Sequence, residues 1–109
     1  MVTGCGGQIG TALVPKLIEK FGQDCVIQTD ITHKMAKNSD NFDNDQFERL
    51  DVTDSAHYKY LMEKHEINYI VHLSGILSAL GEKNPYLAMK VNGNGVINAL
   101  DMAKEYNAK

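Results

Sequence analysis

An α/β fold, built on a doubly wound parallel sheet of about four strands with flanking helices, is what this sequence predicts. Three observations carry that expectation. Short apolar runs alternate with amphipathic stretches along the chain, the pattern of parallel strands joined by helices. A turn containing Gly4, Gly6, Gly7 and Gly10 stands between the first apolar run and the first helical pattern. An aspartate, Asp30, closes the second apolar run 20 residues beyond Gly10.

Met1 to Thr3 supply the first strand, which the chain leaves through Gly4. Glycines turn sharply and let the backbone lie against a ligand with no side chain in the way. The helix that follows offers unpaired N–H groups and the positive end of its dipole to an anion. Gly4, Gly7 and Gly10 are spaced G-x-x-G-x-x-G, while a G-x-G-x-x-G reading from Gly4 fails at Ile9. From Gln8 to Phe21, the residues Ile9, Leu13, Leu17 and Phe21 recur every four positions and predict one apolar helix face. Pro15 removes one backbone hydrogen bond from that helix, which predicts a kink or a short first segment. Gly22 is its stop.

Cys25 to Thr29 reads as a short buried strand with Asp30 at its end. An acid at that place accepts from a ribose 2′-hydroxyl and repels a 2′-phosphate, which favours NAD over NADP. Ile31 to Asp45 is polar and reads as an exposed connection. Gln46 to Val52 alternates as a third strand and ends at Asp51-Val52, where a side chain or amide can meet an adenine edge.

Asp54 suits the N-cap of a helix from Ser55 to about Glu66. His57 and His65 on that helix lack partners at a metal-ligand spacing and read as surface histidines. Ile67 to Leu73 is the fourth strand, Ser74 to Lys83 a loop with Ile76, Leu77 and Leu80 in it. Asn84-Pro85 then opens a helix to about Asn107, with proline suited to its first turn. Leu87, Val91, Val96, Leu100 and Ala103 make its apolar face. Gly93 and Gly95 lie inside it at ~1 kcal/mol each against alanine, which predicts a close neighbour there. Right-handed crossovers bring the glycine turn, Asp30, Asp51 and Ser74 to one carboxyl edge of the sheet, where a dinucleotide binds.

Composition narrows the class. The 109 residues amount to one globular domain, 43% apolar, with a net charge of −3 that offers no basic patch to nucleic acid or an anionic membrane. No apolar run approaches the ~20 residues of a membrane span, and no signal peptide is recognisable. Two cysteines without a secretory signal predict reduced thiols in a cytoplasmic setting. Cys5 sits beside a helix N-terminus that lowers thiol pKa values, although a small side chain fitting a tight turn is the favoured reading. The first strand is short of the usual ~5 residues and no strand follows the last helix, so the chain is expected to be the amino-terminal part of a longer protein.

Taken together, Thr3-Gly4-Cys5-Gly6-Gly7-Gln8-Ile9-Gly10, Asp30, Asp51-Val52, His72-Leu73-Ser74-Gly75 and Val91-Asn92-Gly93-Asn94-Gly95 resemble the extended short-chain dehydrogenase/reductases, an epimerase/dehydratase-like family with a Rossmann-type fold. The resemblance covers essentially the whole chain. Leu73 to Glu82, Asn84-Pro85 and Val91 to Leu100 look most like the short-chain type of L-threonine 3-dehydrogenase within it. That resemblance implies NAD as cofactor, L-threonine oxidised to 2-amino-3-ketobutyrate, and a homodimer for the complete protein, mitochondrial in a eukaryote. It also implies site residues. Gly4, Gly7, Gln8, Ile9 and Gly10 hold the pyrophosphate, Asp30 and Ile31 the adenosine ribose, and Asp51 and Val52 the adenine. Leu73 and Ser74 lie along the nicotinamide, Ser74 also touching substrate, and Asn92 is on the helix behind the cofactor.

Catalysis in that family uses a Ser or Thr after the fifth strand and a Tyr-x-x-x-Lys on the next helix. Tyr60 to Lys64 and Tyr86 to Lys90 have that spacing but fall too early in the order of elements, so no catalytic residue is assigned and these residues alone are expected to be inactive. Two alternatives stand beside this reading: a nucleotide-sugar epimerase or dehydratase, and a non-catalytic binding or assembly module.

Overall fold

The computed structural model describes residues 1–32 and 46–109. Most of the connection expected between Ile31 and Asp45 therefore lies outside the described residues. Strand β1 (Val2–Thr3) leads into helix α1 (Gln8–Phe21), followed by β2 (Gln28–Asp30) and β3 (Phe47–Arg49). Helix α2 (Ser55–Lys64) and β4 (Val71–His72) come next, then α3 (Ser78–Lys83) and α4 (Pro85–Met89). A π-helical segment, Lys90–Asn94, joins α4 to α5 (Gly95–Glu105). The sheet order is β3-β2-β1-β4 with every pair parallel, the fold class that the alternation predicts.

Both faces of the sheet are covered because neighbouring strand residues point to opposite sides. Met1 and Ile27 enter one core with Tyr58, Leu61 and Met62 of α2 and Ala99 and Met102 of α5. Val2 and Val26, one position along, enter the other with Cys5 and Val14 of α1. Each such buried aliphatic side chain contributes about 1.5–3 kcal/mol relative to exposure.

Four local expectations need correction. Ile9 and Phe21 are 65% and 55% exposed, and α1 instead buries Gly10 and Val14. A strict four-residue repeat drifts by about 40° per step on a 3.6-residue helix, so its two ends leave the face its middle shares. Pro15 neither ends nor shortens α1, which runs unbroken over 14 residues. Cys25 belongs to a 3₁₀ turn, Gln23–Cys25, and the sheet pairing begins at Gln28. The loop expected over Ser74 to Lys83 contains α3, hidden in the sequence by Gly81 and by Leu77 at a cap position where no side chain bonds.

The last helix turns one narrow face into the core. Gly95, Ala99 and Met102 are buried, whereas Leu100 is 64% exposed and Val96 41%. A Cβ on Gly95 would lie 2.8 Å from Val52 Cγ2, so close approach selects the narrow face over the larger apolar one. The close neighbour expected at Gly95 is thus present, but Gly93 has nothing within 4 Å.

Candidate functional site

The glycine turn is positioned by backbone bonds. Cys5 N–H donates to the Thr29 carbonyl at 3.1 Å, and Gly7 N–H donates to the Gly4 carbonyl at 3.1 Å. Gly4 has φ +67°, and a Cβ there would come within 2.8 Å of the Leu73 and Ser74 backbone. The turn therefore lies directly against the exit of β4. Gly10 performs the same service below it, where a Cβ would be 2.4 Å from the Cys5 carbonyl oxygen. Gly7 is the N-cap of α1 with no side-chain bond, and no acidic residue stands in the first turn. A helix start of that kind leaves N–H groups for an anion.

Asp30 seals the turn from the side. Its Oδ2 accepts from Gly6 N–H at 3.0 Å and its Oδ1 from Ile31 N–H at 2.8 Å. Thr32 N–H also reaches Oδ1, at 3.5 Å, so it is Oδ2 that keeps a lone pair for a further donor. After β3, Asp51 Oδ1 accepts from the Thr53 backbone N–H at 2.9 Å and its hydroxyl at 2.8 Å. The Thr53 N–H, opposed by partial burial, holds the Asp51 carboxyl below its ordinary 3.8. The Val52 carbonyl accepts from Asn98 Nδ2 at 2.8 Å.

The exit of β4 hangs on a buried hydroxyl. Thr3 Oγ1 lies 3.0 Å from His72 Nδ1 and accepts from the N–H groups of Leu73 at 3.3 Å and Ser74 at 3.4 Å. With two donors already directed at that oxygen, its own proton goes to Nδ1. Burial lowers the His72 pKa from its ordinary 6.5, in keeping with a neutral ring.

These parts enclose a cleft of about 230 Å³. Gly4 and Gly7 form its floor, Asp30 and Ile31 one wall, Asp51 and Val52 the next, and Leu73 and Ser74 the far side. Four of the sequence-derived site residues lie elsewhere. Gln8 and Ile9 are exposed on α1, and Gly10 is buried beneath the turn. Asn92 accepts from Ile76 N–H at 2.7 Å and donates to its carbonyl at 2.9 Å, which fastens the chain leaving β4. Leu50, Gly75 and Val91 also line the cleft, and sequence reasoning missed them. The neighbours of Asp51 and Ser74 were a signal for the first two; nothing local marks Val91.

Cys5 is fully buried, and burial, followed by the charge of Asp30, pushes its thiol up to about 12. Burial outweighs the helix start, in line with the reading as a small side chain in a tight turn. Tyr60 is 54% exposed on α2 and Tyr86 81% exposed on α4, and neither lines the cleft. Lys64 pairs with Glu48, as does His65 at 2.8 Å, so His65 is a half-buried partner rather than a free surface residue. Among the described residues, no group of three metal-ligating side chains occurs.

The family model for GDP-mannose 4,6 dehydratase matches residues 1–109. An uncharacterized epimerase/dehydratase of Staphylococcus aureus (strain USA300) is 44% identical over 107 residues, 98% of this chain and 33% of its own. A monomeric L-threonine 3-dehydrogenase from a metagenome database, solved in its apo form, is 44% identical with a TM-score of 0.87. The L-threonine dehydrogenase of Clostridium difficile is 37% identical with a TM-score of 0.91. Both alignments cover 99% of this chain and 33% of the solved one, so the chain spans about a third of the length of these relatives.

Proposed function

This chain belongs to the GDP-mannose 4,6 dehydratase family, and from that premise we propose that it is the NAD-binding Rossmann portion of an L-threonine 3-dehydrogenase. One observation carries the cofactor: the Asp30 carboxylate is held at the lip of the glycine turn by Gly6 N–H, with a lone pair of Oδ2 left for a ribose hydroxyl. A 2′-phosphate there would meet that negative charge. The 44% and 37% identities to two threonine dehydrogenases support L-threonine as substrate.

In this reading the turn from Gly4 to Gly7 and the start of α1 hold the pyrophosphate. Gln8 and Ile9 take part through their backbone N–H groups, and Gly10 lets the helix approach. Asp30 and Ile31 hold the ribose, Asp51 and Val52 face the adenine, and Leu73 and Ser74 flank the nicotinamide and substrate. Asn92 supports that flank through Ile76. The bound nicotinamide supplies the hydride acceptor, and the reading assigns no proton-transfer group among these residues. Exposed Tyr86, Met89, Ile97 and Leu100 support pairing of two copies along α4 and α5. No helix among the described residues is long and apolar enough to cross a membrane. Both cysteines are free thiols, which supports a cytoplasmic setting.

Similarity to a staphylococcal epimerase/dehydratase supports a second reading, with a nucleotide sugar in place of threonine. Calorimetric titration with NAD and NADP tests the cofactor. Saturable NAD binding, weaker NADP binding and a loss of about tenfold or more in Asp30→Ala are expected for a charge-assisted bond. Equal affinity for the two dinucleotides, or no effect of Asp30→Ala, overturns the assignment.

A further inference from the structure

Helix α5 contributes no residue to the lining of the cleft, yet it grips one of the cleft's walls. The β2–β3 pairing ends at Arg49, and Leu50 N–H makes one more bond, to the Asp30 carbonyl at 2.9 Å. Beyond Leu50 the chain turns through Asp51 and Val52. Most hydrogen bonds of this turn are local: Thr53 N–H and hydroxyl to Asp51 Oδ1, and Asp54 N–H to the Asp51 carbonyl at 3.0 Å. Local bonds fix the shape of a turn but not its place above the sheet. Among the described residues, the bond that ties it to another element comes from Asn98, whose Nδ2 donates to the Val52 carbonyl at 2.8 Å across 46 positions of sequence. Gly95, one turn earlier on the same helix, leaves room for the Val52 side chain, which is 4% exposed.

We infer that Asn98 is a positioning residue for purine recognition, setting the Asp51–Val52 wall by its bond to the Val52 carbonyl without touching the ligand. The inference rests on the dinucleotide reading above. Asp51 Oδ1 is occupied by Thr53, while Oδ2 accepts nothing from the described residues. A free carboxylate oxygen suits the exocyclic amino group of adenine and opposes the oxo group that hypoxanthine carries at the same place. Discrimination between these bases depends on where that oxygen stands, and so on the amide that holds the turn.

The test compares NAD with nicotinamide hypoxanthine dinucleotide on the full chain, by calorimetry, for wild type, Asn98→Asp and Asn98→Gln. The aspartate keeps the volume and removes the donor; the glutamine keeps the donor, and circular dichroism confirms that each variant is folded. The wild type should prefer the adenine form. Asn98→Asp should weaken NAD by about three- to tenfold, the worth of one hydrogen bond, and should weaken the hypoxanthine form less, so that the ratio narrows. Asn98→Gln should recover part of that ratio. Equal losses on both dinucleotides would mean that Asn98 serves stability alone and would overturn the inference, as would an unchanged NAD affinity. Failure of the wild type to bind either dinucleotide sinks the cofactor reading itself, and the inference with it, an outcome distinct from the other two.

Discussion

Replacing Gly10 by alanine should destabilise the chain, whereas the same replacement at Gly93 should not. Both glycines are helical, Gly10 in α1 and Gly93 in the π segment. Alanine is favoured over glycine by ~1 kcal/mol in a helix interior, so propensity alone predicts a gain at either site. The surroundings differ. A Cβ on Gly10 would lie 2.4 Å from the Cys5 carbonyl oxygen and 2.6 Å from the Cys5 carbonyl carbon and Cα. Cys5 cannot yield easily, since its N–H is bonded to Thr29 at 3.1 Å and its side chain is 0% exposed. Restoring ordinary contact at roughly 3.5 Å requires α1 to retreat by about an ångström.

That retreat loosens Val14 against Val2, Cys5 and Val26, the centre of the core on this face. Overpacking of this kind costs about 1–3 kcal/mol and more against rigid backbone. After the propensity gain, the net loss at Gly10 is about 2 kcal/mol. At Gly93 nothing lies within 4 Å of the added carbon, and the propensity gain of up to ~1 kcal/mol stands. Urea unfolding followed by circular dichroism reads the difference, about 2–3 kcal/mol between the two variants. Equal changes at both positions, or a gain at Gly10, would refute the claim that close helix-to-turn approach is what requires glycine there.

Two further outcomes follow from burial and charge. In the folded chain a thiol reagent should modify exposed Cys25 and spare Cys5, whose thiol is buried and pushed up to about 12; two equivalents of rapid labelling without denaturant would contradict that placement. Burial raises the Glu48 carboxyl, but hydrogen bonds from Lys64 and His65 together outweigh it and hold the group below its ordinary 4.5. The stability Glu48 supplies is then complete above that value and drains away as pH falls through the lower folded one. Glu48→Gln should flatten the acid limb of the stability profile below pH 4.5, and an acid limb identical to wild type would argue against the pair.

Much of the cleft was legible because its parts announce themselves locally. Gly4 and Gly7 stand at a turn, Asp30 and Asp51 end strands, and Ser74 follows one; a parallel sheet sends all of these to the same edge. Residues that act across the fold carried no such mark. Asn92 in the π segment and Asn98 in α5 sit among similar residues, and their partners, Ile76 and Val52, are 16 and 46 positions away. Thr3 reads as one more strand residue until His72, Leu73 and Ser74 close around its hydroxyl.

The sequence by itself determined the alternation of strand and helix, the turn, and the edge at which its acids gather. Those depend on periodicity and backbone freedom, which neighbouring residues settle among themselves. Tertiary structure decided which helix faces are buried. Packing distance, not apolar content, chose Gly95, Ala99 and Met102 over Val96 and Leu100, because a larger side chain at Gly95 would collide with Val52. A contact made across the fold depends on the shape of both partners, and a one-dimensional pattern records only one of them at a time.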